Sequence, residues 1–300
     1  MEFYHTPVLL GESLELLDIK PDGTYADLTF GGGGHSRAIL GKLSDSGRLY
    51  GFDQDAEARA NIPDDGRFHF VEGNFRFMRG LLRERGVKQV DGILADLGVS
   101  SRHFDAPERG FSFRADAPLD MRMNQNGRLT AAHVVNTYEP AQLIAVFRDY
   151  GELDAPHKAA GRIAEARKGA PIQTTFELIE TLRPLVPKND ESKYLSKLFQ
   201  ALRIEVNREM EALKMALEQS LRMLKPGGRL VVISYHSLED RLVKNFMKTG
   251  NFEGRAEKDF YGRVQTPFET VTRKAIVPSE EEIRQNTRSR SAKLRAAQKI

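Results

Sequence analysis

Residues 25–55, YADLTFGGGGHSRAILGKLSDSGRLYGFDQD, decide the fold of this chain. A short apolar run containing Tyr25 and Leu28 ends in four consecutive glycines at positions 31–34. His35 and a helical pattern follow, and a second apolar run, RLYGF, ends at Asp53. Strand, glycine loop, helix, strand and acid in this order predict the first half of a nucleotide-binding α/β domain.

The glycine loop also indicates the class of ligand. Glycine has no Cβ, so the backbone at Gly31, Gly33 and Gly34 can approach a ligand closely. Asp53 follows Gly31 by 22 residues, which suits an acid that binds both ribose hydroxyls. The sixth position of a dinucleotide fingerprint is Ser36 rather than glycine, which disfavours a pyrophosphate. We therefore expect S-adenosylmethionine; the alternative is a flexible glycine turn without a ligand.

Composition sets broader limits. The chain has 300 residues, enough for two domains, with 40% hydrophobic and 29% charged residues. It contains no cysteine, which excludes disulfides, thiolate metal sites and cysteine nucleophiles. A net charge of +3 is compatible with nucleic acid without requiring it. No secretory signal, membrane span or dedicated metal site is expected, and we predict a cytoplasmic location.

Two further strands end in polar residues. Residues 68–72 predict a third strand followed by Asn74 and Phe75, and residues 90–96 predict a fourth strand ending in Asp96. The ends of parallel strands point at the ligand in this fold. Phe75 is therefore a candidate to stack on adenine and Asn74 to bond its edge, although Phe75 as a core residue is an equal alternative. Ser100 and Ser101 are interpreted as helix N-caps.

The alternation of strands and helices stops near residue 105. We predict a discontinuous α/β domain at 1–104 and 208–300, with a helical insertion at 105–207. Apolar steps of three and four over residues 194–224 predict one long or kinked helix. Arg203 and Asn207 lie on a polar face of that helix, which is either solvated or binds substrate.

The last hundred residues return to the α/β domain. Residues 224–228 predict a tight turn and residues 229–234 a fifth strand, followed by Tyr235 and His236. Residues 264–266 and 270–275 predict a closing hairpin. Beyond Glu282 the chain has basic residues and no acid, which is consistent with phosphate contacts or with a solvated basic tail.

Short motifs along nearly the whole chain resemble one family, the bacterial 16S ribosomal RNA cytosine-N4 methyltransferases (small-subunit methyltransferase H). The motifs are HTPVLL (5–10), TFGGGGHS (29–36), DLGVSS (96–101), ERGFSF (108–113), PLDMRM (118–123), FQALRIEVN (199–207) with Glu209, LKPGGRL (224–230), SYHSLEDR (234–241) and RSRSAKLR (288–295). Their common order makes chance agreement improbable.

The resemblance implies a Rossmann-like class I S-adenosylmethionine-dependent methyltransferase domain. It implies methylation of a decoding-centre cytosine, position 1402 of 16S rRNA, with the small ribosomal subunit as partner. The cofactor contacts that it implies are Gly33, Gly34, His35, Asp53, Phe75 and Asp96. His103 stands where the family usually has glutamine in an SSPQ segment, so a contact there would depend on pH.

Methyl transfer to a cytosine amine needs alignment of N4 and an acceptor for its proton. Asp96 is the first candidate acceptor, with the carbonyls of Leu97 and Gly98 as alternatives. Tyr235 and His236 are candidates to stack on or bond the base. The candidates for contact with RNA are Arg109, Phe111, Arg203 and Asn207, since RNA readers bind unpaired bases with aromatics and arginines.

Alternative functions from other classes of protein stay open on the sequence alone. A small-molecule methyltransferase would share the fold but would not need basic RNA-binding surfaces. A non-catalytic RNA-binding assembly factor would keep a relic pocket, which the intact loop, Asp53 and Asp96 argue against. An NAD enzyme is disfavoured by the missing third glycine. The oligomeric state is open between a monomer and a homodimer.

Overall fold

The computed structural model describes residues 7–99, 106–261 and 264–300. The chain forms two compact units, Met1–Gly98 with Met210–Ile300, and Val99–Glu209. The predicted ranges were 1–104 with 208–300, and 105–207. The assignment of the second unit to RNA recognition stays a prediction. Within the described ranges no helix is both long enough and apolar enough to cross a membrane.

The first unit contains a sheet and its flanking helices. Its strands are β1 Thr24–Asp27, β2 Arg48–Asp53, β3 Phe68–Glu72, β4 Val90–Asp96, β5 Leu224–Ser234, β6 Glu257–Lys258, β7 Val264–Gln265, β8 Phe268–Thr270 and β9 Lys293–Lys299. Its helices are α1 Leu10–Leu17, α2 Gly34–Leu40, α3 Met78–Glu84, α9 Glu209–Met223, α10 Ser237–Thr249 and α11 Glu280–Gln285.

Seven of these strands form one sheet in the order β3-β2-β1-β4-β5-β9-β8. Strands β1 to β5 pair in parallel, whereas β9 is antiparallel to both β5 and β8. The chain builds the sheet outward from β1 to β3 and then resumes on the other side of β1 with β4. This parallel, doubly wound order confirms the predicted Rossmann-like α/β class.

Alternate residues of the strands supply two separate apolar layers, as the period of two in a strand requires. On one face Tyr25 and Leu49 belong to a buried cluster with Leu17 of α1 and Ile39 of α2. The opposite face packs against α3, α9 and α10. Because both faces are covered, the central strands are apolar nearly throughout and only their ends carry polar groups.

The second unit is helical. Its helices are α4 Ala131–Thr137, α5 Pro140–Asp149, α6 Pro156–Ala166, α7 Thr175–Leu182 and α8 Glu191–Asn207. Two of them begin where the sequence places a cap: α5 has proline at its first turn, and Thr174 and Glu177 form a capping box on α7. The unit has its own core, which includes Phe147, Leu178 and Leu202.

The region predicted as one long or kinked helix over 194–224 is two helices. Helix α8 ends at Asn207, where Arg208 adopts a left-handed conformation with φ 50°, and α9 begins at Glu209. Apolar periodicity continues on both sides of the break, so the pattern alone does not reveal it. Residues 224–228, predicted as a turn, form the first part of β5, with a register shift against β4 between Val90 and Gly92.

The predicted closing hairpin is wrong. Strand β7 pairs with β6, and β8 pairs with β9. The predicted basic tail is also wrong for Lys293–Lys299, which is an inner strand of the sheet. Its basic residues alternate with Leu294 and Ala296, which are 0% and 1% exposed. The head group of Arg295 is held by Asp240 at 2.6 Å.

Because β9 is an inner strand, truncation of Leu294 to alanine should lower the free energy of unfolding by about 2–5 kcal/mol. The measurement is urea denaturation followed by circular dichroism. Val277→Ala is the matched control, since Val277 is 60% exposed, and its effect should be below about 0.5 kcal/mol. Equal stabilities of the two variants would contradict the placement of β9.

Candidate active site

The candidate site lies where β1 and β4 end side by side. These two strands pair directly, and the chain proceeds from them to opposite halves of the sheet. The carboxyl ends of strands at such a switch point form the usual binding crevice of open α/β sheets. The glycine loop follows β1, and Asp96 is the last residue of β4. The pairing therefore brings together two segments separated by more than sixty residues.

The glycine loop needs its glycines for different reasons. Gly31 and Gly33 have positive φ angles of 50° and 76°, which residues with a side chain rarely adopt. A Cβ at Gly33 would also lie 3.0 Å from the Phe30 ring, and one at Gly34 would collide with the ring of Pro7. A Cβ at Gly32 would meet no atom within 4 Å. The loop is therefore tightly constrained on its protein side and open at Gly32.

Asp53 lies at the end of β2 and is fixed by backbone amides. Its two carboxylate oxygens accept hydrogen bonds from Gly31 N and Asp55 N, both at 2.8 Å. The carboxylate therefore reaches across from β2 to the glycine loop. An oriented carboxylate beside a glycine loop is suited to accept hydrogen bonds from the hydroxyls of a ribose.

Asn74 and Phe75 follow β3 at the same edge of the sheet. The Asn74 side chain caps the following turn by accepting from Arg76 N at 2.9 Å, and its amide donates to Gln54 Oε1 at 2.7 Å. Phe75 is half-buried and packs against the apolar layer beneath α3. Both interpretations of Phe75 stay predictions, because the residue packs against the core and also retains exposed surface.

Asp96 is an acid of the site whose pKa is clearly raised. Its Oδ1 accepts from the Tyr235 hydroxyl at 2.8 Å, and its backbone amide donates to Thr29 Oγ1 at 2.7 Å. Its side chain is 23% exposed. Burial raises the pKa of Asp96 to about 6, reinforced by repulsion from Asp27 and Glu239 and opposed by His35 and the Tyr235 hydrogen bond.

Tyr235 follows β5, the strand next to β4. Burial and the neighbouring carboxylate of Asp96 raise the pKa of Tyr235 well above its usual value. The phenol therefore keeps its proton and donates a hydrogen bond to Asp96. The Tyr235 backbone amide donates to Glu239 Oε2 at 3.0 Å. Tyr235 is thus positioned by its neighbour strand and by the start of α10.

His35 connects the glycine loop to Asp96. The ring is buried, with Nε2 3.1 Å from the carbonyl oxygen of Val8 and Nδ1 3.9 Å from Asp96 Oδ2. A carbonyl oxygen only accepts, so Nε2 carries the proton of that hydrogen bond. Nδ1 is therefore the ring atom that faces the Asp96 carboxylate.

Asp27 is a site residue that sequence reasoning missed. It is 1% exposed at the end of β1 and accepts from Ser36 Oγ at 2.7 Å and from Thr29 N at 3.1 Å. These bonds fix Thr29 and Ser36, which flank the glycine loop. The charge of Asp27 also helps to raise the pKa of Asp96. An acid within an apolar run is the signal that could have identified it, because a buried carboxylate requires partners.

His236 occupies the N-cap position of α10. Its Nδ1 accepts from Glu239 N at 3.4 Å, and its Nε2 lies 3.2 Å from Glu239 Oε1. The side chain is 8% exposed. These contacts give His236 a role in positioning the start of α10, and its predicted contact with the base stays a prediction.

The substrate candidates of the second unit make internal contacts. Arg109 is 7% exposed and donates to the carbonyl oxygens of Arg122 and Met123, and Phe111 is 4% exposed in the core. The remaining two are also engaged: Arg203 donates to both carboxylate oxygens of Glu209 at 2.8 and 2.9 Å, and Asn207 bonds backbone groups of Met121 and Met123. Their contact with RNA stays a prediction.

Three sequence predictions lie outside the described residues. His103, the predicted cofactor contact, is one of them, and the N-cap serines Ser100 and Ser101 are the others.

Replacement of Tyr235 by phenylalanine should raise the pKa of Asp96 above about 6. A hydrogen bond to the ionised carboxylate favours that form, and its loss corresponds to about one pKa unit. The measurement is a carbon-13 NMR titration of the aspartate carboxyls. Tyr261→Phe is the control, since Tyr261 is 82% exposed. An unchanged or lower Asp96 pKa in Tyr235→Phe would contradict the assigned hydrogen bond.

Comparison with known proteins identifies the family of this chain. A sequence model of the MraW methylase family matches residues 2–300. A protein of Bacteroides fragilis (strain YCH46), named ribosomal RNA small subunit methyltransferase H, is 60% identical over 296 residues, 99% of this chain and 97% of that protein. A protein of the same name from Flavobacterium johnsoniae is 58% identical over 297 residues, 99% of this chain and 98% of the relative.

Among solved structures, an rRNA methylase from Streptococcus thermophilus aligns with a TM-score of 0.41 at 12% identity, covering 97% of this chain and 93% of the other. The family match spans nearly the whole sequence, and it confirms the resemblance that the motifs indicated. The chain belongs to the MraW methylase family.

Proposed function

We propose that this protein transfers a methyl group from S-adenosylmethionine to N4 of a cytosine in the RNA of the small ribosomal subunit. The target that we propose is the decoding-centre cytosine at position 1402 of 16S rRNA. Membership of a methylase family and the name shared by close relatives support an rRNA methyltransferase. The cytosine and its N4 atom rest on the motif resemblance and on the chemistry of the site.

The residues around the glycine loop fit an adenosine joined to an amino acid. Asp53, oriented by Gly31 N and Asp55 N, would bind the ribose hydroxyls. Asn74 and Phe75, at the end of the next strand, would hold the adenine edge and face. The loop is open at Gly32, where a Cβ would meet no protein atom within 4 Å. Bound S-adenosylmethionine would supply an electrophilic methyl group on its sulfonium.

The reaction requires a proton acceptor because N4 of cytosine is a weak nucleophile. Its lone pair is delocalised into the ring, so positive charge develops on nitrogen as the new bond to carbon forms. Asp96 would accept one of the two N4 protons. With a pKa of about 6, it is mostly ionised at neutral pH and yet more basic than an ordinary carboxylate, which suits a general base.

The Tyr235 hydrogen bond would position that carboxylate. The Tyr235 hydroxyl occupies Oδ1 at 2.8 Å, and His35 Nδ1 faces Oδ2 at 3.9 Å. A carboxylate held in this way loses little freedom when the base arrives, and preorganisation of this kind contributes substantially to catalysis. The observation that carries the proposal is this partly buried, hydrogen-bonded Asp96 beside a glycine loop in a methylase family member.

The target base must leave its stack to reach the site, as enzymes acting on nucleobases require. The second unit, with Arg109, Phe111, Arg203 and Asn207, remains our proposed RNA-recognition region. In Arg203→Ala the Glu209 carboxylate would lose its bidentate partner. A loss of stability is therefore expected in that variant, so its methylation activity must be compared with the wild type together with its melting temperature.

Transfer of labelled methyl from S-adenosylmethionine to small ribosomal subunits that lack the modification tests the proposal. We expect N4-methylcytidine as the labelled nucleoside, identified by mass spectrometry. Asp53→Ala should weaken cofactor binding about tenfold to a hundredfold, because hydrogen bonds from the ribose to a charged acceptor contribute about 1.5–3 kcal/mol. Calorimetric titration measures that affinity.

Asp64→Ala is the matched control, since Asp64 is exposed on the same unit, and it should retain both binding and transfer. Label at another nucleoside would contradict the N4 assignment. Label confined to small molecules would favour a small-molecule methyltransferase. Cofactor and RNA binding without any transfer would favour a non-catalytic assembly factor.

A further inference from the structure

A basic groove lies on the face of the first unit that carries α3 and α9. It encloses about 430 Å³. Arg76, Arg79 and Arg83 line one side at spacings of three and four residues, which places them on one helical face. Gln219 and Arg222 line the other side from α9. The groove therefore collects four guanidinium groups from two segments that are distant in sequence.

These four guanidinium groups are not neutralised by the protein. Within the described part of the chain, none of them lies within 4.0 Å of a carboxylate, and Glu218 is the one acid among the groove residues. Elsewhere arginines do have such partners: Arg67 pairs with Asp65 and Arg295 with Asp240. Four like charges around one groove repel each other, and an anionic ligand between them would offset that repulsion.

An exposed aromatic ring completes the groove. Phe77 is 51% exposed, and the guanidinium carbon of Arg76 lies 4.8 Å from its ring centre. In addition, Arg76 Nε is buried without a hydrogen-bond partner among the described residues. An aromatic face beside arginine is the combination on which unpaired nucleotides stack.

The walls of the groove are held together independently of any ligand. Gln219 Oε1 accepts from Arg79 N at 2.8 Å, and the Gln219 amide donates to the carbonyl oxygen of Arg76. The backbone of one wall is thereby fixed to the side chain of the other. The arginine side chains are presented from a rigid frame, which lowers the entropic cost of binding.

We infer that this groove binds the phosphate backbone of RNA adjacent to the methylated nucleotide. The inference rests on the proposed function, because it takes the substrate to be RNA. The groove begins at Arg76, directly after the Asn74–Phe75 pair proposed for adenine, and β3 ends at the same edge of the sheet as β4 with Asp96. Guanidinium groups match phosphate oxygens bidentately, and contacts of this kind supply affinity without reading sequence.

The test compares the full-length protein with the double charge reversals Arg79→Glu/Arg83→Glu and Lys42→Glu/Lys88→Glu. Lys42 and Lys88 are exposed and precede β2 and β4, at the opposite edge of the sheet, so the control changes net charge equally. Binding to a small-subunit rRNA transcript is measured by fluorescence anisotropy between 50 and 300 mM KCl (roughly the range where phosphate contacts respond to salt). Methyl transfer and S-adenosylmethionine affinity are measured on the same samples.

In Arg79→Glu/Arg83→Glu we expect RNA affinity to fall about tenfold or more. The slope of log affinity against log salt should decrease in magnitude by about 1.4–1.8, the value for two lost phosphate contacts. Cofactor affinity should be unchanged. Arg79→Gln/Arg83→Gln, which removes charge without reversing it, should show the same change in slope at wild-type melting temperature.

A slope equal to that of the lysine control would overturn the groove assignment while leaving the methyltransferase intact. Reduced binding to anionic lipid vesicles with unchanged RNA binding would also overturn it, in favour of a membrane surface. Wild-type protein that neither binds nor methylates the RNA would overturn the proposed function and this inference together.

Discussion

The parallel pairing of β1 with β4 is the constraint on which the candidate site depends. It places the loop after β1 beside the last residue of β4, so that Asp96 N reaches Thr29 Oγ1 and Asp96 Oδ2 faces His35. β5 then pairs with β4 and delivers Tyr235 to the same carboxylate. Without this order of strands the polar ends would be scattered, and their charges would have no common partner.

Burial of a carboxylate at that junction has opposite consequences for stability and chemistry. Desolvation favours the neutral form of Asp96 and raises its pKa from 3.8 to about 6, so the folded state loses stability as the pH rises between these two values. The same shift makes Asp96 a better proton acceptor near neutral pH. Functional sites commonly contain groups perturbed in this way, and the Tyr235 hydrogen bond limits the shift.

Local chemistry explains which parts of the fold and of the candidate site could be predicted from the sequence. Gly31–Gly34, Asp53 and Asp96 follow apolar runs directly, so turn chemistry and strand ends identified them. Partners across the sheet left no such signal: the Tyr235–Asp96 bond joins residues 139 positions apart. The basic residues around Leu294 resembled a tail because β9 is an inner strand with small buried residues, and Asp27 was overlooked within an apolar run. Arg208 shows no turn chemistry, yet it separates two helices.

The pH dependence of single-turnover methyl transfer tests the central claim most directly, that ionised Asp96 accepts the N4 proton. With cofactor and RNA saturating, the wild-type rate should increase with pH and level off above about pH 6, since burial raises the pKa of Asp96 to about 6. Asp96→Asn should be slower at every pH and should lack that increase. The same increase at wild-type rate in Asp96→Asn, with cofactor affinity unchanged, would contradict the account.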